Sequence, residues 1–206
     1  MQALIINIIN KFGYLGVLLL IAIENIFPPI PSEIILTFGG FMTKMPNSIL
    51  TIVGVIIAAT LGSILGAIAL YYIGKILNKE RLKKIVSGKI GKILFLKPKD
   101  IEKADKWFDE KGNKTVFFCR FIPVIRSLIS IPAGMTKMNM SKFVGLTFIG
   151  SLVWNVILVL LGAKMGENWP TIANFVDQYS KIVAIIIVII FIVYIVNKVV
   201  KKRKRK

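Results

Sequence analysis

Residues 117–134 read FFCRFIPVIRSLISIPAG, and this stretch decides the fold. It is mostly apolar, yet it carries two arginines, Arg120 and Arg126, and two prolines, Pro123 and Pro132. An arginine at membrane depth costs from about 3 to more than 10 kcal/mol, and a proline removes a backbone donor and breaks a helix. Broken backbone at that depth is tolerated only where protein or water satisfies it. The stretch therefore predicts a re-entrant helical hairpin that lines a polar cavity.

The spacing of the two arginines supports the same prediction. In an unbroken helix, six residues turn the chain by roughly 600°, which leaves Arg120 and Arg126 about 120° apart. Pro123 pushes the preceding residue out of the helical region. With the helix broken there, both guanidinium groups can turn toward one point.

A second broken stretch, ENIFPPIPSE, lies upstream at residues 24–33. A continuous helix would place Glu24 and Glu33 on opposite faces. Three prolines between them make that helix impossible, so the chain folds back and can bring the carboxylates together. The predicted hairpin breaks are Pro28, Pro29, Pro31, Pro123 and Pro132. Two proline-broken apolar segments in corresponding halves of one chain point to a transporter binding site.

Composition places the whole chain in the membrane. Of its 206 residues 55% are hydrophobic, and the net charge is +18. Apolar runs of 20 or more residues recur along it, which soluble domains lack. A single cysteine, Cys119, excludes an intrachain disulfide and a cysteine-cluster metal site. The absence of histidine removes the commonest general base and zinc ligand, so we expect no metal and no cofactor.

The sequence predicts an all-α polytopic membrane protein with a single membrane domain. It comprises two re-entrant helical hairpins in an inverted repeat, about three full transmembrane helices and surface amphipathic helices. Residues 1–12 read as an interfacial amphipathic helix. Gly62 and Gly66 form a G-x-x-x-G pair that favours close helix packing. The remaining parts are a first hairpin with its transmembrane helix (13–73), a cytoplasmic basic amphipathic region (75–114), a second hairpin with its transmembrane helix (115–163), a last transmembrane helix (182–200) and a basic tail (201–206).

Residues 75–114 form the only polar region of any size. They hold 13 Lys/Arg against 6 Asp/Glu, with aromatic residues among them. Such a mixture can bind nucleic acid, but in a membrane-embedded chain the anionic lipids of the inner leaflet are the favoured partner. A solvated connecting loop is the alternative.

Lysine and arginine counts set the orientation. The side with residues 75–114 and the C-terminus holds 22 of them, and the opposite side holds 4. The C-terminus is therefore expected in the cytoplasm. If both breaks are hairpins, they enter from opposite sides, which makes residues 13–73 and 115–163 an inverted repeat typical of secondary transporters.

At these residues the sequence resembles the DedA family, also called the SNARE-associated or VTT-domain family. Its pattern runs E-x-x-x-P-x-P-x-E, then F-x-R-F-x-P-x-x-R-[ST] followed by A-G. Residues 118–127 match the second motif, with Ala133 and Gly134 after it, and residues 24–33 correspond to the first with one more residue between the two glutamates and prolines at 28, 29 and 31. The matches span most of residues 12–163.

The resemblance implies a multi-pass protein of the bacterial plasma membrane that serves lipid homeostasis. Bacterial members are associated with moving undecaprenyl phosphate or phosphatidylethanolamine between leaflets, with activity tied to the proton gradient. It implies that the acidic residues of the first motif and the arginines of the second are required. We carry these roles to Glu24 and Glu33 for proton coupling, and to Arg120 and Arg126 for binding the lipid phosphate.

The favoured function is therefore a lipid-phosphate transporter, whose partners are a phospholipid or polyprenyl phosphate and protons. Two arginines can bind a phosphate through paired hydrogen bonds, and buried carboxylates beside them can take up and release a proton. In the competing interpretation the four charges only neutralise each other and hold the hairpins together. A lipid-headgroup enzyme would need a metal or an activated nucleophile, and Ser127 and Ser130 have no partner base. A membrane scaffold is a further alternative, and the sequence is compatible with a homo-oligomer.

Overall fold

The structure is a computed structural model that describes residues 2–27, 32–87, 98–122 and 125–171, with individual positions between 174 and 196. All regular structure within these residues is helical. The predicted breaks at Pro28, Pro29, Pro31 and Pro123 lie outside the described residues, as do most of the last predicted crossing and the basic tail. The helices are α1 (Gln2–Ile26), α2 (Ser32–Met42), α3 (Ile52–Ile76), α4 (Lys79–Ser87), α5 (Pro98–Cys119), α6 (Ile125–Leu128), α7 (Ser130–Met135) and α8 (Met140–Met165), followed by a 3₁₀ turn (Gly166–Asn168).

Three helical segments are long and apolar enough to cross a bilayer: Leu4–Ile26, Ile52–Ile76 and Met140–Thr171. The second and third correspond to the two crossings expected from the sequence. The first joins the predicted interfacial helix to the first arm, with a sharp bend at Gly13, whose φ of 55° suits glycine. By length and composition the chain is an integral membrane protein.

Helix α5 crosses a boundary that the sequence pattern had placed at residue 114. Its first part belongs to the polar region, and an exposed ion pair of 2.5 Å between Lys83 and Glu102 joins α4 to it. The helix then continues without interruption to Cys119. The residue before Arg120 is therefore the end of the amphipathic helix and not part of a separate arm.

The shorter helices pack against the long ones through two reciprocal pairs of glycines. In the first pair, on α2 and α8, Gly40 faces the backbone of Val159 and Gly162 faces the carbonyl of Thr37. The second pair joins α7 to α3, where Gly134 and Gly74 face backbone carbonyls in the same manner. The short helix of each half thus lies against the long helix of the other half.

We expect Gly162→Ala to lower stability by about 1–3 kcal/mol, because the added methyl would meet the Thr37 backbone and push α2 away. Gly145→Ala on the same helix is the matched control, since nothing lies within 4 Å of its added methyl. Thermal unfolding of the purified variants in detergent measures both. Equal unfolding temperatures for the two variants would contradict the close crossing.

Candidate functional site

The four charged residues singled out in the sequence are all buried. Glu24 at the end of α1 is 5% exposed and Glu33 at the start of α2 is 4% exposed. Arg120 follows α5 and is fully buried, and Arg126 lies in α6 with 1% exposed. The Glu24 carboxylate interacts electrostatically with the guanidinium groups of Arg126 and Arg120 and with the Glu33 carboxylate. The fold therefore brings the two distant motifs into one buried cluster.

Neutral polar groups link the two motifs directly. Asn25 donates through Nδ2 to a Glu24 carboxylate oxygen at 3.3 Å and to the carbonyl of Ile21 at 3.0 Å. Ser127 in turn donates to the amide oxygen of Asn25 at 3.4 Å. Both linking side chains are fully buried. Through them the end of α1 is connected to α6.

Arg120 is held by three hydrogen bonds to uncharged acceptors. Its Nη1 donates to the carbonyl of Arg126 at 2.8 Å, and its Nη2 donates to Ser130 at 3.1 Å and to Thr147 at 2.8 Å. Gly150 makes room for it, because a methyl there would lie 2.8 Å from the Arg120 Cβ. Arg120 thus ties the segment after α5 to α6, α7 and α8.

Arg126 is bound more loosely than Arg120. Its Nη2 donates to the Ser63 hydroxyl of α3 at a long 3.5 Å. Its Nε and Nη1 are buried and have no hydrogen-bond partner among the described residues. The guanidinium carbon lies 6.0 Å from the centre of the Trp154 ring, within the range of a cation–π contact. Among the described residues, two donors of Arg126 are therefore left for a further acceptor.

The glycine pair of α3 makes this arrangement possible. Gly62 lies against the carbonyl of Leu18, and Gly66 lies against Ala22 and Asn25. This close approach of α3 to α1 places Ser63, between the two glycines, beside the cluster.

Pro132, the described member of the predicted breaks, is the third residue of α7, where its missing N–H is tolerated.

Sequence reasoning missed the uncharged half of the cluster. Buried side chains of α1, α3, α7 and α8 supply it: Asn25, Ser63, Ser130 and Thr147. Polar residues inside apolar helices were the available signal, and the row Thr147, Ser151, Asn155 repeats every four residues along α8. Within the described part of the chain, no three His, Cys, Asp or Glu residues are grouped so that they could hold a metal ion.

Comparison with known proteins gives one family. Residues 30–164 match the model of the VTT domain. That range covers the helices from α2 to α7 and most of α8. No solved structure matches the chain.

Several named bacterial proteins are similar over nearly the whole chain. The "Alkaline phosphatase-like protein" of Lactococcus lactis subsp. lactis (strain IL1403) is 60% identical over 186 residues, which are 90% of this chain and 86% of that protein. "Undecaprenyl phosphate transporter A" of Staphylococcus aureus (strain NCTC 8325 / PS 47) is 40% identical over 186 residues, 90% of each chain. The protein of the same name in Bacillus subtilis (strain 168) is 35% identical over 182 residues, which are 88% of this chain and 86% of that protein.

Proposed function

The chain belongs to the VTT-domain family, also called the DedA family, and on that premise we propose that it moves a phosphate-bearing lipid between the leaflets of a bacterial membrane. The observation that carries the proposal is Arg126. It is a buried guanidinium group with two nitrogens that no described protein group accepts from. A buried donor without a partner costs about 1–3 kcal/mol, more for a charged group. A phosphate would satisfy these donors with charge-assisted hydrogen bonds.

The two arginines have different roles in this proposal. Arg126 binds the phosphate through its free nitrogens. Arg120 adds positive charge and one unpaired nitrogen, Nε, and its three other bonds hold the site together. The second motif thus supplies both the ligand-binding group and the group that positions it.

Glu24 and Glu33 are proposed to couple lipid movement to protons. Glu24 lies within electrostatic reach of both arginines, so its charge opposes that of a bound phosphate. A proton taken up there would lower the repulsion and favour binding. Glu24 is the preferred coupling residue, because it follows an apolar arm and interacts with both arginines.

The proposed transport route passes between two re-entrant hairpins. With 11, 4 and 6 residues, α2, α6 and α7 are each shorter than the roughly 20 residues needed to cross the bilayer. The reciprocal glycine contacts of α2 with α8 and of α7 with α3 support an inverted repeat of the two halves. In such a repeat, rocking one half against the other exposes a central site to each side in turn.

Undecaprenyl phosphate is the proposed substrate because two relatives of 35–40% identity are named as its transporters. Phosphatidylethanolamine also carries a phosphate that Arg126 can bind, and it is the second candidate. The name "alkaline phosphatase-like" belongs to a relative.

Reconstitution in liposomes tests the proposal. Purified protein should move labelled undecaprenyl phosphate from one leaflet to the other without altering it. Release of inorganic phosphate would instead indicate an enzyme, and a lipid that neither moves nor changes would favour a scaffold.

We further propose that the C-terminus, the basic helix α4 and the amphipathic helix α5 lie in the cytoplasm, next to anionic lipids of the inner leaflet. In a Cys119→Ser background, Asn168→Cys should react with an impermeant thiol reagent in intact cells, because Asn168 lies exposed on the opposite side of α8 from that region. Ser87→Cys, exposed on α4, is the control and should react only after lysis. Equal labelling of the two in intact cells would refute the orientation.

A further inference from the structure

A row of buried polar side chains runs along the inner face of α8. Thr147, Ser151 and Asn155 follow each other at intervals of four residues, so they lie on one face. Their exposed fractions are 0%, 1% and 0%. Thr147 accepts from Arg120 at the start of the row. The row therefore extends the arginine site along the membrane-spanning helix.

Three atoms on this part of α8 have no hydrogen-bond partner among the described residues. They are the Ser151 hydroxyl oxygen, the Trp154 indole nitrogen and the Asn155 amide oxygen, and all three are buried. The other end of the Asn155 amide is bound, since its Nδ2 donates to Thr60 of α3 at 3.1 Å. Buried polar groups are almost always paired with protein, water or a ligand. A cluster of three unpaired groups is therefore unusual.

The Trp154 indole of α8 lies next to the Arg126 guanidinium group, and Asn155 and Arg126 both bind side chains of α3. The Trp154 ring is 6.0 Å from the Arg126 guanidinium carbon. Thr60, which binds Asn155, is one turn from Ser63, which binds Arg126. The unpaired groups of α6 and α8 thus border one region between α3, α6 and α8.

We infer that this part of α8 forms the uncharged half of the headgroup site and that Trp154 and Ser151 are substrate-binding residues. The indole N–H and the serine hydroxyl donate to phosphate oxygens, as Arg126 does from the other side. The Asn155 amide oxygen is an acceptor and suits the P–OH of a singly protonated phosphate monoester. This inference rests on the proposed function and specifies the headgroup chemistry as a phosphate monoester.

Trp154→Phe and Ser151→Ala separate binding from folding. Neither removes a hydrogen bond to another described residue, because both polar atoms have no partner among those residues. Ser151→Ala should therefore unfold at the wild-type temperature or above it, and Trp154→Phe, which also loses some packing against the core, should stay folded at the temperature of the binding measurement. Affinity for a short polyprenyl monophosphate, farnesyl phosphate, should fall about tenfold in each variant, as expected for losing one hydrogen bond to a charged group.

Isothermal titration calorimetry of the full chain in nanodiscs measures this affinity, with Trp107→Phe and Ser141→Ala as controls. Both control positions are exposed, and Ser141 lies on α8 itself. The controls should bind as the wild type does. The methyl ester of farnesyl phosphate, which has no P–OH, should bind the wild type more weakly than the monoester.

The outcomes that overturn the inference are distinct from failure of the proposed function. If the wild type binds farnesyl phosphate and both variants bind it within twofold, α8 does not form part of the site. If the variants bind weakly only because they unfold at lower temperature, Trp154 and Ser151 are packing residues. If the wild type itself binds no polyprenyl phosphate, the proposed function fails and the inference fails with it.

Discussion

Arg126→Lys should abolish lipid movement almost as completely as Arg126→Ala, with a loss on the order of 100-fold for two charge-assisted hydrogen bonds. Lysine keeps the positive charge, but it lacks the planar group that donates to two oxygens at once. Nε and Nη1 of Arg126 are the donors that have no partner among the described residues, and a lysine ammonium cannot occupy both positions. The measurement is the rate of labelled undecaprenyl phosphate movement in liposomes at equal protein content. Full activity of the lysine variant would reduce Arg126 to a counter-charge and refute the phosphate contact.

Arg120→Lys is the matched comparison, because we expect it to lower stability and not only lipid movement. Arg120 bonds to Arg126, Ser130 and Thr147. A single ammonium cannot reproduce this pattern, so the variant should lose about 2–4 kcal/mol of stability. The unfolding temperature and the abundance should fall for Arg120→Lys and stay near the wild-type values for Arg126→Lys. The reverse order would contradict the division of roles between the two arginines.

Glu24→Gln should leave the protein folded and stop proton-driven transport. Glutamine has nearly the volume of glutamate and can still accept from Asn25, which now donates at 3.3 Å. The hydrogen bonds that hold Arg120 go to a carbonyl and two hydroxyls and do not depend on Glu24. A permanently neutral side chain cannot cycle between charge states, so driven movement should fall to the level of empty liposomes. Abundance and lipid movement are measured together.

A purely structural pairing of the four charges forecasts a different result. Glu24→Gln would then strand a buried arginine at a cost of about 3–5 kcal/mol, and abundance would fall. Adding Arg120→Gln should restore it under that interpretation. The proton role is supported if Glu24→Gln is stable but inactive and Arg120→Gln does not restore its activity. It is refuted if Glu24→Gln lowers abundance and Arg120→Gln restores it. Glu33→Gln provides the comparison at the other carboxylate.

The convergence of the charged residues was predictable from the sequence, because a buried charge and a proline are both costly in a plain spanning helix. Residue types and their spacing are enough for that prediction, and they were enough to locate the charged residues of the cluster: Glu24, Glu33, Arg120 and Arg126. The two membrane-spanning helices that follow the proline-broken stretches, α3 and α8, were equally clear, because a long apolar run has few alternatives to a spanning helix. The family motifs agreed with both.

The partners of the arginines were not predictable in the same way. Thr147 and Ser130 are common residue types, and only the contacts of α5 with α8 and with α7 bring them to Arg120. The continuation of α5 to Cys119 was also missed, since hydropathy changes near residue 114 while no proline follows before Pro123. A change in hydropathy marks where a helix meets the membrane and not where it ends. The reciprocal glycine contacts likewise depend on which helices meet.

We propose that buried arginine donors recognise a phosphate-bearing lipid, which the protein carries across the bilayer. Comparing undecaprenyl phosphate with the neutral alcohol undecaprenol in the same proteoliposomes tests it most directly. Wild-type protein should accelerate movement of the phosphate at least about tenfold more than movement of the alcohol, as one charge-assisted contact requires, and Arg126→Ala should remove this preference. Equal acceleration of both lipids by the wild type, or a preference that survives Arg126→Ala, would contradict it.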